Sequence, residues 1–229
     1  MRTRYSIVVC LIILMSLPAI ANADRSGWYM AADLGRSHYD DVGAQSVQIV
    51  TRINQVYVPG VSNVTSDSSD TGYRLTGGYQ FNAYLGLEIS YVNFGNATIT
   101  EDPAVLSCMC GKPFLQGVVN STIKSHGWVL AGTATYPFND HWSLFGRLGF
   151  IDANVELDVN STPTFAVPPS VSDSSSGHLT TTYGVGVDWS FANHWSARLG
   201  WDRYLSLGDS NTTGKYTLEF TSIGLVYRF

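Results

Sequence analysis

Apolar and polar residues alternate along this chain in short, repeated segments. The stretch from Gly77 to Gly95, GGYQFNAYLGLEISYVNFG, shows the pattern most clearly. Its second half sets Leu85, Leu87, Ile89 and Tyr91 on one face and Gly86, Glu88 and Ser90 on the other. A period of two belongs to a strand and not to a helix. The two halves meet at a short turn, Gln80-Phe81-Asn82-Ala83. Glu88 is the odd member, a charge in the middle of a small, weakly polar face.

The turn recurs. Tyr79-Gln80-Phe81-Asn82-Ala83-Tyr84 is echoed by Tyr136-Pro137-Phe138-Asn139-Asp140-His141-Trp142 and by Trp189-Ser190-Phe191-Ala192-Asn193-His194-Trp195. Three hairpins give six strands, and Trp28–Arg36 before them with Thr221–Phe229 after them makes eight. Each strand has an apolar face with aromatics towards its ends, such as Trp28, Met30, Ala32, Leu34 or Trp142, Leu144, Leu148, Phe150. The opposite face is small or polar, as at Gly35, Thr76, Gly78, Ser90, Thr133, Thr135, Gly149, Gly184 and Ser196. A soluble sandwich gives no reason for aromatics to gather at strand ends. In a membrane barrel they form girdles at the two interfaces. The expected girdle is Trp28, Tyr79, Tyr84, Trp128, Tyr136, Trp142, Trp189, Trp195, Trp201 and Tyr227.

A lipid-exposed sheet has to close, because an open edge in hydrocarbon leaves backbone groups unpaired. The expected fold is therefore all-β, an eight-stranded antiparallel up-and-down transmembrane β-barrel whose interior side chains just fill. Its other connections, roughly His38–Asp70, Thr100–Lys124, Asp158–Gly177 and Ser206–Gly214, are long and polar. In the first of them Val47, Ile49, Val56 and Val58 alternate, so its strands are expected to extend above the bilayer. Short turns on one side and long loops on the other match outer-membrane barrels.

The N-terminus reads differently. Arg2 and Arg4 precede an apolar run from Ile7 to Leu17, followed by Ala21-Asn22-Ala23. This is the layout of a secretory signal peptide over residues 1–23, too short for a spanning helix. Residues 24–229 then form the barrel domain. They keep 11 basic and 18 acidic residues, which argues against nucleic acid as a partner. Beyond the leader only Cys108 and Cys110 remain. They are a candidate loop disulfide in an oxidising compartment, with a metal site as the alternative. No nearby histidine completes a zinc ligand set, so no metal or cofactor is expected.

The inward charges are Asp33, Arg74, Glu88, Arg147, Asp188 and Arg198. Counted from the aromatic at each short turn, all except Asp188 fall at similar depth. Opposite charges confined together should pair, because an unpaired buried charge is strongly destabilising. Glu88 is expected to pair with Arg147 or Arg198. The set would act as a salt-bridged plug or as a gate. Catalysis is not expected. Rim clusters exist at His38 with Asp40 and Asp41, at Ser125-His126 and at Ser176-Gly177-His178. Spacing alone does not make any of them a triad.

These residues resemble the transmembrane domain of OmpA-type outer-membrane proteins. The likeness lies in Gly77-Gly78-Tyr79-Gln80 with Leu85-Gly86-Leu87-Glu88, in Gly127 to Tyr136-Pro137, and in Arg147-Leu148-Gly149. It continues in Gly186-Val187-Asp188, Arg198-Leu199 and Gly224-Leu225-Val226-Tyr227-Arg228-Phe229. The resemblance implies an interior ion-pair network at Glu88, Asp188, Arg147 and Arg198. The sequence departs at Asp33, where the family commonly has a base, and Arg74 is the candidate replacement. Tyr227 and Phe229 resemble the C-terminal signal read by the outer-membrane barrel assembly machinery. No periplasmic peptidoglycan-binding domain is seen, so no cell-wall tether is expected.

The expected role is that of an integral protein of a Gram-negative outer membrane, structural or surface-interacting. Its long loops would contact an extracellular ligand. Outer-membrane lipid and lipopolysaccharide are its expected surroundings, and a monomer is its expected state. The alternatives are a narrow porin for small ions and solutes, an OmpW-like passage for small hydrophobic molecules, and a rim-located outer-membrane enzyme.

Overall fold

Each aromatic-Phe turn closes on backbone hydrogen bonds. Phe81 and Asn82 donate to the Leu85 carbonyl, and Asn82 Oδ1 accepts from the Tyr84 and Leu85 amides. Asn139 does the same for His141 and Trp142. An Asn side chain that captures amides ahead of it stabilises a tight turn. In the third turn Ala192 takes that place. Its backbone carbonyl accepts the Trp195 amide instead, at 3.3 Å.

The protein is described by a computed structural model over residues 26–40, 64–106, 115–162, 174–207 and 216–229. The leader at residues 1–23, the alternation at Val47, Ile49, Val56 and Val58, and Cys108 with Cys110 lie outside the described residues. The strands are β1 (Gly27–Asp40), β2 (Val64–Asp67), β3 (Ser69–Gln80), β4 (Leu85–Leu106) and β5 (Leu115–Pro137). They continue as β6 (Trp142–Thr162), β7 (Ser174–Ser190), β8 (Trp195–Leu207) and β9 (Tyr216–Arg228). All pairings are antiparallel between neighbours, with β4 against β5 and β1 against β9 completing the ring. β2 and β3 follow one another and both pair with β4, so nine strands make eight staves. The expected closed up-and-down barrel is what forms.

The long connections are shorter than the sequence suggested. β4 and β5 stay paired up to Leu106 opposite Leu115, and β5 and β6 up to Val118 opposite Thr162. Residues assigned to loops, including Ser176 and Gly177, are strand. These segments are rich in polar and β-branched residues, and strands above the lipid do not need a lipid-facing pattern to pair.

Side-chain exposure divides the barrel into two storeys. Near the short turns the wall is apolar outside and small or polar inside. Towards the loop end the same positions keep facing in and out, but the polarity of the two faces reverses. On β6 Leu144, Leu148 and Phe150 face out, and then Asp152, Asn154 and Glu156 take the outward positions. The inward positions change from Ser143, Arg147 and Gly149 to Ile151, Ala153 and Val155, all buried. β9 repeats the switch, with Ser222 inside below it and Phe220, Leu218 and Tyr216 inside above it. The upper storey is therefore filled by a packed apolar core that includes Val92, Phe94, Ile123, Ile151, Val155, Leu207, Leu218 and Phe220. This corrects the expectation of an interior that is small and polar throughout.

Candidate functional site

The lower storey holds the charges. Asp33 and Arg74 face one another across β1 and β3 in register. Arg74 Nε donates to Asp33 Oδ2 at 2.9 Å, and its Nη1 donates to Asp202 Oδ2 at 2.5 Å. Arg147 reaches Asp202 at 3.3 Å and Glu88 at 3.7 Å. Glu88 Oε1 accepts from Arg198 Nη1 at 2.9 Å and from the Tyr29 hydroxyl at 2.8 Å. Arg198 also clasps Asp188 through Nε and Nη2, at 2.8 and 3.0 Å. Arg228 closes the run on Asp188 at 3.3 Å.

The result is one chain of alternating sign: Asp33, Arg74, Asp202, Arg147, Glu88, Arg198, Asp188, Arg228. Acids and bases are equal in number, so the run as a whole sums to zero, with the half-buried Arg228 balancing the fourth acid at the short-turn end. Desolvating each ion costs several kcal/mol, and only pairing and hydrogen bonds offset that cost. The six charges expected from sequence all face the interior and all belong to the chain. They do not form one layer, because Asp33 and Arg74 reach Glu88 only through Asp202 and Arg147. Strands in a closed barrel tilt and stagger, so equal counts from the turns are not equal heights. Glu88 holds both of its candidate arginines, Arg198 by a hydrogen bond and Arg147 at longer range.

The chain is unevenly bonded. Arg147 Nε and Nη2, Glu88 Oε2 and Asp202 Oδ1 are buried without a hydrogen-bond partner. These four atoms lie at the Arg147 link, and Asp33 Oδ1 at the far end of the run is also without a hydrogen-bond partner. The Phe145 ring lies 4.9 Å from the Arg147 guanidinium carbon and 4.4 Å from that of Arg198, so part of the support is cation–π. Two glycines make room for these rings. A Cβ at Gly78 would collide with the Tyr29 ring, and one at Gly186 with the Phe145 ring.

Sequence reading missed Asp202, Tyr29, Phe145 and Arg228. Asp202 continues the inward phase of Arg198 and Gly200 and lies before the expected loop at Ser206, but it was not counted among the inward charges. Tyr29 and Phe145 also have inward phase, and only their aromatic character hid them.

The girdle residues lie on the outer wall as pairs and chains of rings. At the short-turn end the motif aromatic-x-Phe stacks on itself in Tyr79–Phe81, Tyr136–Phe138, Trp189–Phe191 and Tyr227–Phe229, with centroids 5.1–5.7 Å apart. Trp28 packs on Tyr79, Trp142 on Trp189 and Trp195 on Tyr227. At the other end Tyr91 joins Tyr73 to Trp128, and Tyr183 meets Trp201. Tyr84, beside the first turn, is half-buried.

The rim clusters are spread out. Ser125 points inward to the Tyr216 hydroxyl while His126 lies on the opposite face beside Tyr91. His38 sits 3.6 Å from Asp40 and 3.0 Å from Ser69 Oγ, in the open, with Asp40 also held by Arg203. Among the described residues no His, Cys, Asp and Glu group is arranged to hold a metal ion.

Comparison with known proteins adds a sequence-level finding. A family model described as outer membrane protein beta-barrel domain matches residues 7–229. Outer membrane protein A of Serratia marcescens is 27% identical over 229 residues, covering 100% of this chain and 56% of that protein. Outer membrane protein A of Shigella flexneri is 26% identical over 231 residues, covering 100% of this chain and 56% of that protein. The solved structure of Neisserial surface protein A is 14% identical with a TM-score of 0.47, covering 89% of this chain and 98% of that one. The chain spans about half the length of the curated relatives it matches.

Proposed function

The chain belongs to the outer membrane protein β-barrel family, and on that premise we propose that it is a closed membrane anchor whose extracellular hairpins make its functional contacts. The barrel sits in the outer membrane, with its short turns on the periplasmic side. Its role is structural and surface-interacting. The observation that carries this reading is the filled upper storey. Val92, Phe94, Ile151, Val155, Leu218 and Phe220 are each 0% exposed. An ion leaving the charged lower storey would have to cross that apolar layer without partners, which is costly. Above it β4, β5 and β6 extend as paired hairpins, a raised platform for an extracellular ligand. Folding would proceed through the barrel assembly machinery, guided by Tyr227 and Phe229, and the barrel works as a monomer in lipopolysaccharide and phospholipid.

Planar-bilayer recording tests this directly. The purified, refolded chain is expected to give no stable conductance steps. Regular ohmic steps at modest voltage would overturn the closed-anchor reading. They would favour the second reading, a narrow pore, for which the loosely bonded Arg147 is the supporting observation.

A further inference from the structure

The lipid-facing wall is not uniform. An apolar groove of about 670 Å³ crosses it obliquely. Trp128 and Tyr91 stand at its upper end, and Trp195 and Tyr227 at its lower end. Its floor is low because Ala32 and Gly77 face outward on neighbouring strands. A Cβ at Gly77 would meet nothing within 4 Å. The groove lies within the apolar band and is continuous with the surface that lipid already covers.

Charge on the same face points to the kind of lipid. Arg36 lies on β1 four residues above Ala32 and on the same outward face, beyond Leu34. It is exposed at the extracellular margin of the apolar band. Two other outward cations near that margin are committed: Lys124 pairs with Asp158, and Arg203 pairs with Asp40 and Glu219. Among the described residues Arg36 is in no ion pair. Four residues of strand span about 13 Å, so a lipid with its phosphate at Arg36 has its upper acyl carbons level with the groove floor.

We propose that this groove is a site for one acyl chain of lipopolysaccharide, the phosphorylated glycolipid of the outer leaflet, with a phosphate held by Arg36. A second barrel copy is the poorer occupant. In hydrocarbon two apolar faces gain little by leaving lipid for each other, and the indoles at the groove ends hold a flat wall away. The site goes beyond the closed-anchor role and does not depend on it.

The test is retention of lipid by the full chain extracted from outer membranes in mild detergent, with bound lipid identified by mass spectrometry. The native chain is expected to keep lipopolysaccharide in near-stoichiometric amount. Gly77→Leu fills the groove and is expected to lose it. Arg36→Gln is expected to lose lipopolysaccharide while still taking phospholipid. Gly146→Leu, also outward but outside the groove, is expected to retain it. Heat-dependent gel mobility confirms that each variant is folded. Unchanged retention in Gly77→Leu, equal loss in Gly146→Leu, phospholipid alone on the native chain, or a cross-linked dimer through this face would each overturn the proposal.

Discussion

The two storeys of this barrel solve one problem in opposite ways. Both are closed β-cylinders built from the same strands, and both must fill an interior about two side chains wide. The lower storey faces hydrocarbon, so its apolar residues are spent on the outside and its interior is polar. The upper storey faces water, so the same alternation is shifted by one residue and its interior is apolar. On β4 the inward series Gly86, Glu88, Ser90 becomes Val92 with pairing unbroken through Asn93, and Phe94 continues it within the bulge between Asn93 and Asn96. The solvent outside the wall decides which face is apolar. The backbone only fixes that the faces alternate. The stability of the two storeys therefore has different sources: paired charge below, and buried hydrocarbon above.

The largest effect is expected where the lower storey has no substitute partner. Arg74 is 1% exposed and binds both Asp33 and Asp202. Arg74→Ala strands two buried carboxylates and is expected to cost about 3–5 kcal/mol, the scale for breaking a buried pair. Urea unfolding in lipid vesicles, followed by tryptophan fluorescence and gel mobility, measures it. A loss below about 1 kcal/mol would mean that water reaches the Asp33 and Asp202 carboxylates, and the lower storey would not be a dry ionic plug.

A second perturbation locates the boundary between the storeys. On β9 the outward residues run Leu225, Ile223, Thr221, Glu219 towards the loop end. An arginine facing lipid costs about 2–4 kcal/mol at mid-bilayer and about 0–1 near an interface. Leu225→Arg is thus expected to be severe and Thr221→Arg nearly silent in the same unfolding assay. Equal costs at both positions would place Thr221 inside the hydrocarbon and move the boundary upward.

The lower storey was largely legible in the sequence. Its alternation is strict, its turns carry a repeated Phe-Asn signature, and its charges stand alone on small faces. The upper storey was hidden by the assumption that ended each strand at its last lipid-type residue. Once outward positions turned polar, as at His38, Lys124 and Asp158, the segments looked like loops. The inward Ile123, inside the expected loop Thr100–Lys124, then lost its meaning. The partner choice of Glu88 was illegible for another reason. Strand stagger sets which arginine lies near it, and stagger follows from closure of the whole ring rather than from any one segment.

The mildest perturbation uses pH, and it reports on the upper storey. Tyr39 and Tyr216 lie above the lipid band, 1% and 2% exposed, with ring centroids 5.5 Å apart. The Tyr39 hydroxyl donates to the Gly95 carbonyl, and the Tyr216 hydroxyl shares a hydrogen bond with Ser125. Burial raises both hydroxyls well above the usual tyrosine range, and nearby Asp70 adds to this for Tyr39. The folded chain therefore holds two protons that the unfolded chain releases above about pH 10. Stability from these groups is complete below that pH and declines as pH rises beyond it, by about 1.4 kcal/mol per tyrosine for each pH unit. Denaturation midpoints from pH 8 to pH 11.5 should be flat and then fall. Tyr39→Phe should lose about 1 kcal/mol at neutral pH, for the missing hydrogen bond, and show a shallower alkaline decline. An unchanged alkaline slope in that variant would mean that water enters the upper storey, and the contrast between a dry apolar half and a charged half would fail.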